Sequence, residues 1–493
     1  MAMVLFFSRR NYVFIQGVVI TFLFMLAYLL DMKGSKELFY FLCGWNILTY
    51  GGVLYNELTK SPNFHPFIIF ALISLQYCGF SSISIIQMLN SGESIFLGTT
   101  KINNALTLGY LYLTLEHYLI FCGYFLYDNY KMKKNGDNES IIYFIYRPTY
   151  DLYKIGFYNY LVVIFLRIIN YAIFPLASIS SVLNTYSTTG YLVSLAILSY
   201  AMLIESRKSI KILYWLITCI EIIFVLGEGM KQAIITPLLP YIIYLLIAYK
   251  SGKLKLTSVS FIFKVAIITV FIVGFVFPYI SAFRNIASRE KKEWSDISVS
   301  QALSEYIANA FGNISNKNTQ SGLEYFLNRA GSIGSNSFSI DYAEKNGYSP
   351  QYFFTTTSVL IPRILWPNKP NSIRGSMAYL LSLGYSYEDA FQKANSTRNI
   401  TSITLGFVGS SYLVFGFWGA FIFPLIAGLF SAYVWHFVRI RQNDIIAIWL
   451  FYSLMTTIFI DYENFVDFGL VFYAWSIVYM VVIKLNEKYR VYG

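Results

Sequence analysis

The sequence predicts an all-α polytopic integral membrane protein with about 12 transmembrane helices and one large polar loop. Three observations predict it. Of the 493 residues, 56% are hydrophobic and only 13% are charged, where soluble domains carry about a quarter. Apolar runs long enough to cross a bilayer recur along the chain. Lys and Arg gather in alternate short loops, as they do in polytopic proteins. The short alternating segments of a transmembrane barrel are not seen in the sequence.

The predicted spans run in order. Tyr12–Leu30 follows Arg9 and Arg10 and reads as an anchor, because no small-residue cleavage site follows it. Leu38–Leu54, Phe64–Leu89, Ala105–Tyr127, Ile155–Ala177 and Val182–Ile204 come next. Ile212–Leu226 and Ile234–Tyr249 are short runs around Gly227–Gln232, and Phe261–Tyr279 completes the first group. After a long polar stretch come Tyr412–Phe437, Ile445–Ile460 and Phe468–Ile483. The domains are therefore 1–279 with about nine spans, 280–401 as the large loop, and 402–493 with about three.

Orientation follows from loop charge. With the N-terminus in the cytoplasm, inside loops hold 19 Lys and Arg residues, and short outside loops hold only Lys33, Lys36, Lys101 and Lys231. The large loop then faces outside and both termini face inside. Most of the net charge of +11 is thus a topology signal and not a nucleic-acid patch. The four cysteines form no C-x-x-C pair, and His65, His117 and His436 are too scattered for a zinc site. Nothing in the sequence calls for a cofactor or a metal.

The large loop carries 12 basic and nine acidic residues between 280 and 401. Val299–Phe311 and Gly322–Leu327 read as helical pieces, and Gly331–Ser335 and Asn346-Gly347 read as turns. Ile361-Pro362-Arg363-Ile364-Leu365-Trp366-Pro367-Asn368-Lys369-Pro370 cannot be a regular helix, since its prolines fix φ and restrict their predecessors. It reads as a rigid extended turn with Trp366 packed down. Such a frame would hold Arg363 and Lys369 for a phosphate or pyrophosphate, the Arg bidentately and the Lys as a point charge. Arg374 could join them. Arg284 stands five residues after the span ending at Tyr279, at headgroup depth, and Lys231 lies in Gly227-Glu228-Gly229-Met230-Lys231. For each cation the alternative is a lipid-headgroup or snorkelling role.

Arg167 lies deep in an apolar run, and Glu221 in a later one reads as its structural partner. Glu116-His117 reads as a structural pair of residues inside a span. Asp461, Glu463 and Asp341 are the candidates for a general base, with a solvated loop as the alternative for the first two.

These residues resemble a known family, the bacterial O-antigen or oligosaccharide repeat-unit polymerases of the Wzy type. Ile361-Pro362-Arg363-x-x-Trp366-Pro367-x-Lys369-Pro370 resembles that family's Pro-Arg…Trp-Pro-x-Lys-Pro element. Tyr342-Ala343-(x)3-Gly347 resembles the sequence before it, and Gly406–Gly419 resembles the segment that opens the next span. Relatives often have Glu after the glycine where this chain has Ser410; if that Glu is a base in relatives, its role must lie elsewhere here. The resemblance implies a membrane glycosyltransferase of GT-C-like architecture in the bacterial inner membrane, acting at its periplasmic face. It would join undecaprenyl-pyrophosphate-linked oligosaccharide repeat units, with a chain-length regulator and a flippase as partners. Arg284, Arg363 and Lys369, with Lys231 and Arg374 behind them, would bind the pyrophosphate. The rival readings are an O-antigen ligase and a flippase. All three histidines lie outside the large loop, which counts against a ligase. Intramembrane charge is sparse, which counts against a flippase.

Overall fold

The computed structural model describes residues 9–59, 65–91, 101–135, 151–170, 190–205, 207–226, 236–250, 333–350 and 406–440, with single positions such as Ser187, Ile286 and Trp366 between them. Among these residues all regular structure is helical. Among the described residues five helices are long and apolar enough to cross a membrane: Arg9–Leu29, Lys36–Thr59, Phe67–Asn90, Asn104–Lys131 and Phe407–Phe437. The protein is a membrane-embedded helical bundle.

We number the elements α1 (Arg9–Leu29), α2 (Lys36–Thr59), α3 (Phe67–Ser74), α4 (Ser81–Ser91) and α5 (Asn104–Asn135). α3 and α4 are joined by a π-helical turn, Leu75–Phe80. Then come α6 (Leu152–Ile168), α7 (Tyr191–Ile204), α8 (Lys208–Leu226), α9 (Leu239–Lys250), α10 (Ile333–Asn346) and α11 (Phe407–Ile440). The predicted spans up to Tyr249 overlap these helices, although α5 runs on past Tyr127 to Asn135, Ile155–Ala177 is described only as far as Asn170, and the helix in Val182–Ile204 is described only from Tyr191. Phe261–Tyr279, Ile445–Ile460 and Phe468–Ile483 lie outside the described residues, as does Gly227–Gln232.

α5 is the axis of the first group. It is 83% buried in its span, against 28% for α1. α1, α2, the α3–α4 rod and α5 alternate in direction. Tyr12 packs on Phe121, whereas Tyr28 meets Tyr112. Phe39 packs on Tyr110 and Tyr50 on Phe121. Phe67 packs on Tyr124, whereas the carbonyl of Cys78 accepts from Tyr110. We call the Asn104 end of α5 the upper end and the Asp128 end the lower end.

The interior is not purely apolar. Trp45 Nε1 donates to Gln16 Oε1 at 2.6 Å, and Asn46 Nδ2 donates to Thr114 Oγ1 at 2.9 Å. Ser74 Oγ pairs with His117 Nδ1 at 2.7 Å. Interhelical hydrogen bonds of this kind join helices where lipid gives no hydrophobic drive.

The lower end is tied by charge. Arg9 reaches Glu57 bidentately at 2.8 and 3.0 Å. His436 on α11 sits 2.9 Å from Asp128, and His65 Nε2 lies 3.7 Å from the other oxygen of the same carboxylate. The Phe67 amide donates to His65 Nδ1, so in a neutral ring Nε2 carries the proton and faces Asp128. Burial and then the Arg9 charge lower the pKa of His65, while the Asp128 contact raises it. Two of the three histidines are thus not scattered but share one acid. Their sequence separation hid the convergence. No cluster of metal-ligating residues occurs among the described residues.

α6 to α9 form a second group, with α7 against α6, α8 and α9. Here Arg167 forms the expected pair with Glu221, at 2.8 Å through each of two nitrogens. Its Nε donates to the Ser187 carbonyl, and Tyr160 donates to Glu221.

Candidate functional site

The upper end is built by α5, α10 and α11. α10 lies within the predicted loop, where Gly331–Ser335 was expected to turn. Instead a helix starts at Ile333. Ile333, Ser335, Asn336, Ser337, Ser339, Ile340 and Ala343 are buried. Small residues let it sit close: a Cβ on Gly109 of α5 would lie 2.1 Å from Ser337 Oγ. Burial against α5 and α11 overrides the local turn signal of a Gly/Ser-rich string. The Asn346-Gly347 turn is present, with Gly347 at φ 89°.

α11 differs from the single span expected at Tyr412–Phe437. Gly416 has φ 61° and ψ −144°, a conformation closed to other residues without strain. The chain folds back there. A Cβ on Gly419 would lie 2.1 Å from the carbonyl oxygen of Ser411, and the Phe415 and Phe423 rings stack at 5.9 Å. In a continuous helix, residues eight apart stand about 12 Å apart along the axis. α11 is therefore a hairpin of a short arm, 407–415, and a long arm, 417–440. The long arm descends beside α5, where Gly428 lets it approach Ile120 and Gly123 lets it approach Leu425.

The short arm starts inside the bundle. The Val408 amide donates to Glu116 Oε2 at 3.0 Å, about three turns below the start of α5. The Gly409 amide donates to Asn336 Oδ1 at 3.1 Å, and the Ser410 amide donates to the Gly406 carbonyl. A helix start has unpaired amides and a partial positive charge. In a membrane interior these must be met by protein. A carboxylate from α5 and an amide from α10 meet them. The break at Gly416 is met too: the Ser349 amide donates to the Leu413 carbonyl at 2.8 Å.

Above the hairpin lies a tyrosine cluster. Tyr112 packs edge-on against Tyr412 at 4.9 Å, and Tyr348 packs against Tyr412 at 6.3 Å. Tyr28 and Tyr112 share a hydrogen bond of 3.0 Å, and Tyr412 donates to Glu344 at 3.2 Å. Lys33 Nζ stands 4.6 Å over the Tyr28 ring. Tyr112 and Tyr412 are buried, whereas Tyr28, Tyr348 and Glu344 are exposed.

Of the predicted site residues only Asp341 is described. It is partly exposed on α10 and paired with Lys345 at 2.7 Å. Arg284, Arg363, Lys369, Lys231, Arg374, Asp461 and Glu463 lie outside the described residues. Trp366 is irregular and 41% exposed, not packed down as expected. An exposed indole suits a membrane interface, where its ring and N–H meet different surroundings. Glu116 and Asn336 were not expected to act here. Glu116 has a partner in backbone, which no side-chain pattern reveals. Asn336 sits in a string that reads as a turn.

Comparison with protein-family models, curated proteins and solved structures finds no match to this chain.

Proposed function

We propose that the chain is an integral-membrane glycosyltransferase that polymerises undecaprenyl-pyrophosphate-linked oligosaccharide repeat units at the periplasmic face of a bacterial inner membrane. One observation carries the reading furthest. Tyr342–Gly347 and Gly406–Gly419, two of the segments that resemble repeat-unit polymerases, pack together at the upper end of α5, with Tyr412 bonded to Glu344. With the N-terminus in the cytoplasm, that end faces outside.

In this reading the growing chain on its lipid pyrophosphate is the donor, and a hydroxyl of a new lipid-linked unit is the acceptor. The hydroxyl oxygen bonds to the donor anomeric carbon, the bond to pyrophosphate breaks, and a base takes the hydroxyl proton. Arg284, Arg363 and Lys369 are assigned to the leaving pyrophosphate, where fixed cations stabilise the charge as it develops. Lys231 and Arg374 lend further charge. Asp341, Asp461 and Glu463 remain the candidates for the base. Glu116 is a positioning residue: it supplies, from α5, a carboxylate beside the segment where this chain has Ser410. By holding Val408 it fixes the short arm, and with it Tyr412, for two long substrates.

The test is complementation of a strain lacking its surface-glycan polymerase, with surface polysaccharide resolved on a gel. Wild type is expected to restore a ladder, and Arg363→Ala and Arg284→Ala at matched membrane levels are expected to leave single repeats. Full ladders from both variants would remove the site assignment. A strain that shows no surface repeats at all without the protein would point to transport or ligation.

A further inference from the structure

A groove of about 710 Å³ runs along the outer side of α1 against α5. Its lining includes Arg10, Phe14, Val18, Met25, Tyr118 and Phe125. Phe14, Val18 and Met25 are 71%, 56% and 52% exposed, so hydrocarbon must cover them in a membrane. Arg10 sits at the lower mouth, in the first turn of a candidate span. Its neighbour Arg9 is held by Glu57 and faces Phe67. Arg10 makes no ion pair or hydrogen bond among the described residues. A cation at the edge of the hydrocarbon, at the mouth of an apolar furrow, is complementary to a molecule with an anionic head and an apolar tail. From Arg10 to Met25 the groove is about 22 Å long by helix rise, room for an extended acyl chain.

We propose that this groove holds one anionic phospholipid, its phosphate against Arg10 and a tail along Phe14, Val18 and Met25. The Arg10 end of the groove lies at the lower end of the bundle, whereas Phe24, beside Met25, meets Phe417 of the hairpin; the proposal does not depend on the polymerase reading. The same chemistry could draw a free phosphate ester, and the apolar furrow separates the two: only a molecule with a tail gains from it.

The experiment is native mass spectrometry of the full-length protein in detergent. The probes are phosphatidylglycerol, phosphatidylcholine and glycerol phosphate. Wild type is expected to retain phosphatidylglycerol about fivefold better than phosphatidylcholine, and glycerol phosphate not at all. Arg10→Gln is expected to erase the preference and Arg10→Lys to keep it. Val18→Trp, at a lipid-facing position, is expected to weaken retention of both lipids by narrowing the furrow. Equal retention of the two lipids by wild type would overturn the proposal, and so would a preference unchanged in Arg10→Gln. Retention of glycerol phosphate would reduce the site to a bare anion contact and overturn the tail assignment.

Discussion

Glu221 and Glu116 are both fully buried carboxylates in apolar helices, yet their surroundings are opposite. Glu221 faces a bidentate Arg167 and a tyrosine hydroxyl, and Arg167 also binds a carbonyl. That cluster is closed: each charge has its counter-charge and its hydrogen bonds. Glu116 has no counter-charge among the described residues and accepts from the first turn of a broken helix. The first arrangement only has to hold α6, α7 and α8 together. The second places a carboxyl group at the foot of the short arm, where that arm begins inside the bundle. A buried carboxyl group thus marks two different things in one bundle, and its partners tell them apart.

The difference can be broken from either side. Arg167→Ala strands Glu221 without its cation, at a cost of about 3–5 kcal/mol. It should give the largest loss, read as thermal stability in detergent and as membrane level, and glycan length should fall only with the amount of protein. Gly416→Ala forces an L side chain into a region that costs about 1–3 kcal/mol, and its Cβ would meet the Tyr348 ring at 2.6 Å. It should shorten glycan more than it lowers protein level. Glu116→Ala leaves one buried amide without its acceptor, about 1–3 kcal/mol. Asp341→Asn loosens a partly exposed pair of the i,i+4 type, worth less than about 0.5 kcal/mol, so stability should hold. If Asp341 is the base, activity alone should collapse. A cysteine pair in place of Phe415 and Phe423 sharpens the hairpin itself. Oxidative cross-linking is expected, whereas a straight helix would keep the pair about 12 Å apart along its axis, out of disulfide reach.

The contrast also shows what sequence can carry. Arg167 and Glu221 were legible, because two opposite charges in apolar runs have few places to go. The helical class and the early spans were legible for the same reason: twenty apolar residues admit one structure in lipid. Glu116 was not, since its acceptor role is defined by a backbone amide 292 residues away. The hairpin was not, since Tyr412–Phe437 reads as one apolar run and glycines are common in membrane helices. α10 was hidden because Ser335, Asn336 and Ser337 look like loop, although their small size is what lets the helix enter the bundle. The cations of the Pro-rich element rest on the resemblance alone.

The measurement that tests the account most directly is surface-glycan length in the complemented strain with Glu116→Ala and Glu116→Gln, at matched membrane levels. A glutamine keeps an oxygen for the Val408 amide, and an alanine does not. The account predicts single repeats with alanine and a restored ladder with glutamine. A full ladder with Glu116→Ala would contradict it, because the short arm would then need no side-chain acceptor at position 116 to hold its place.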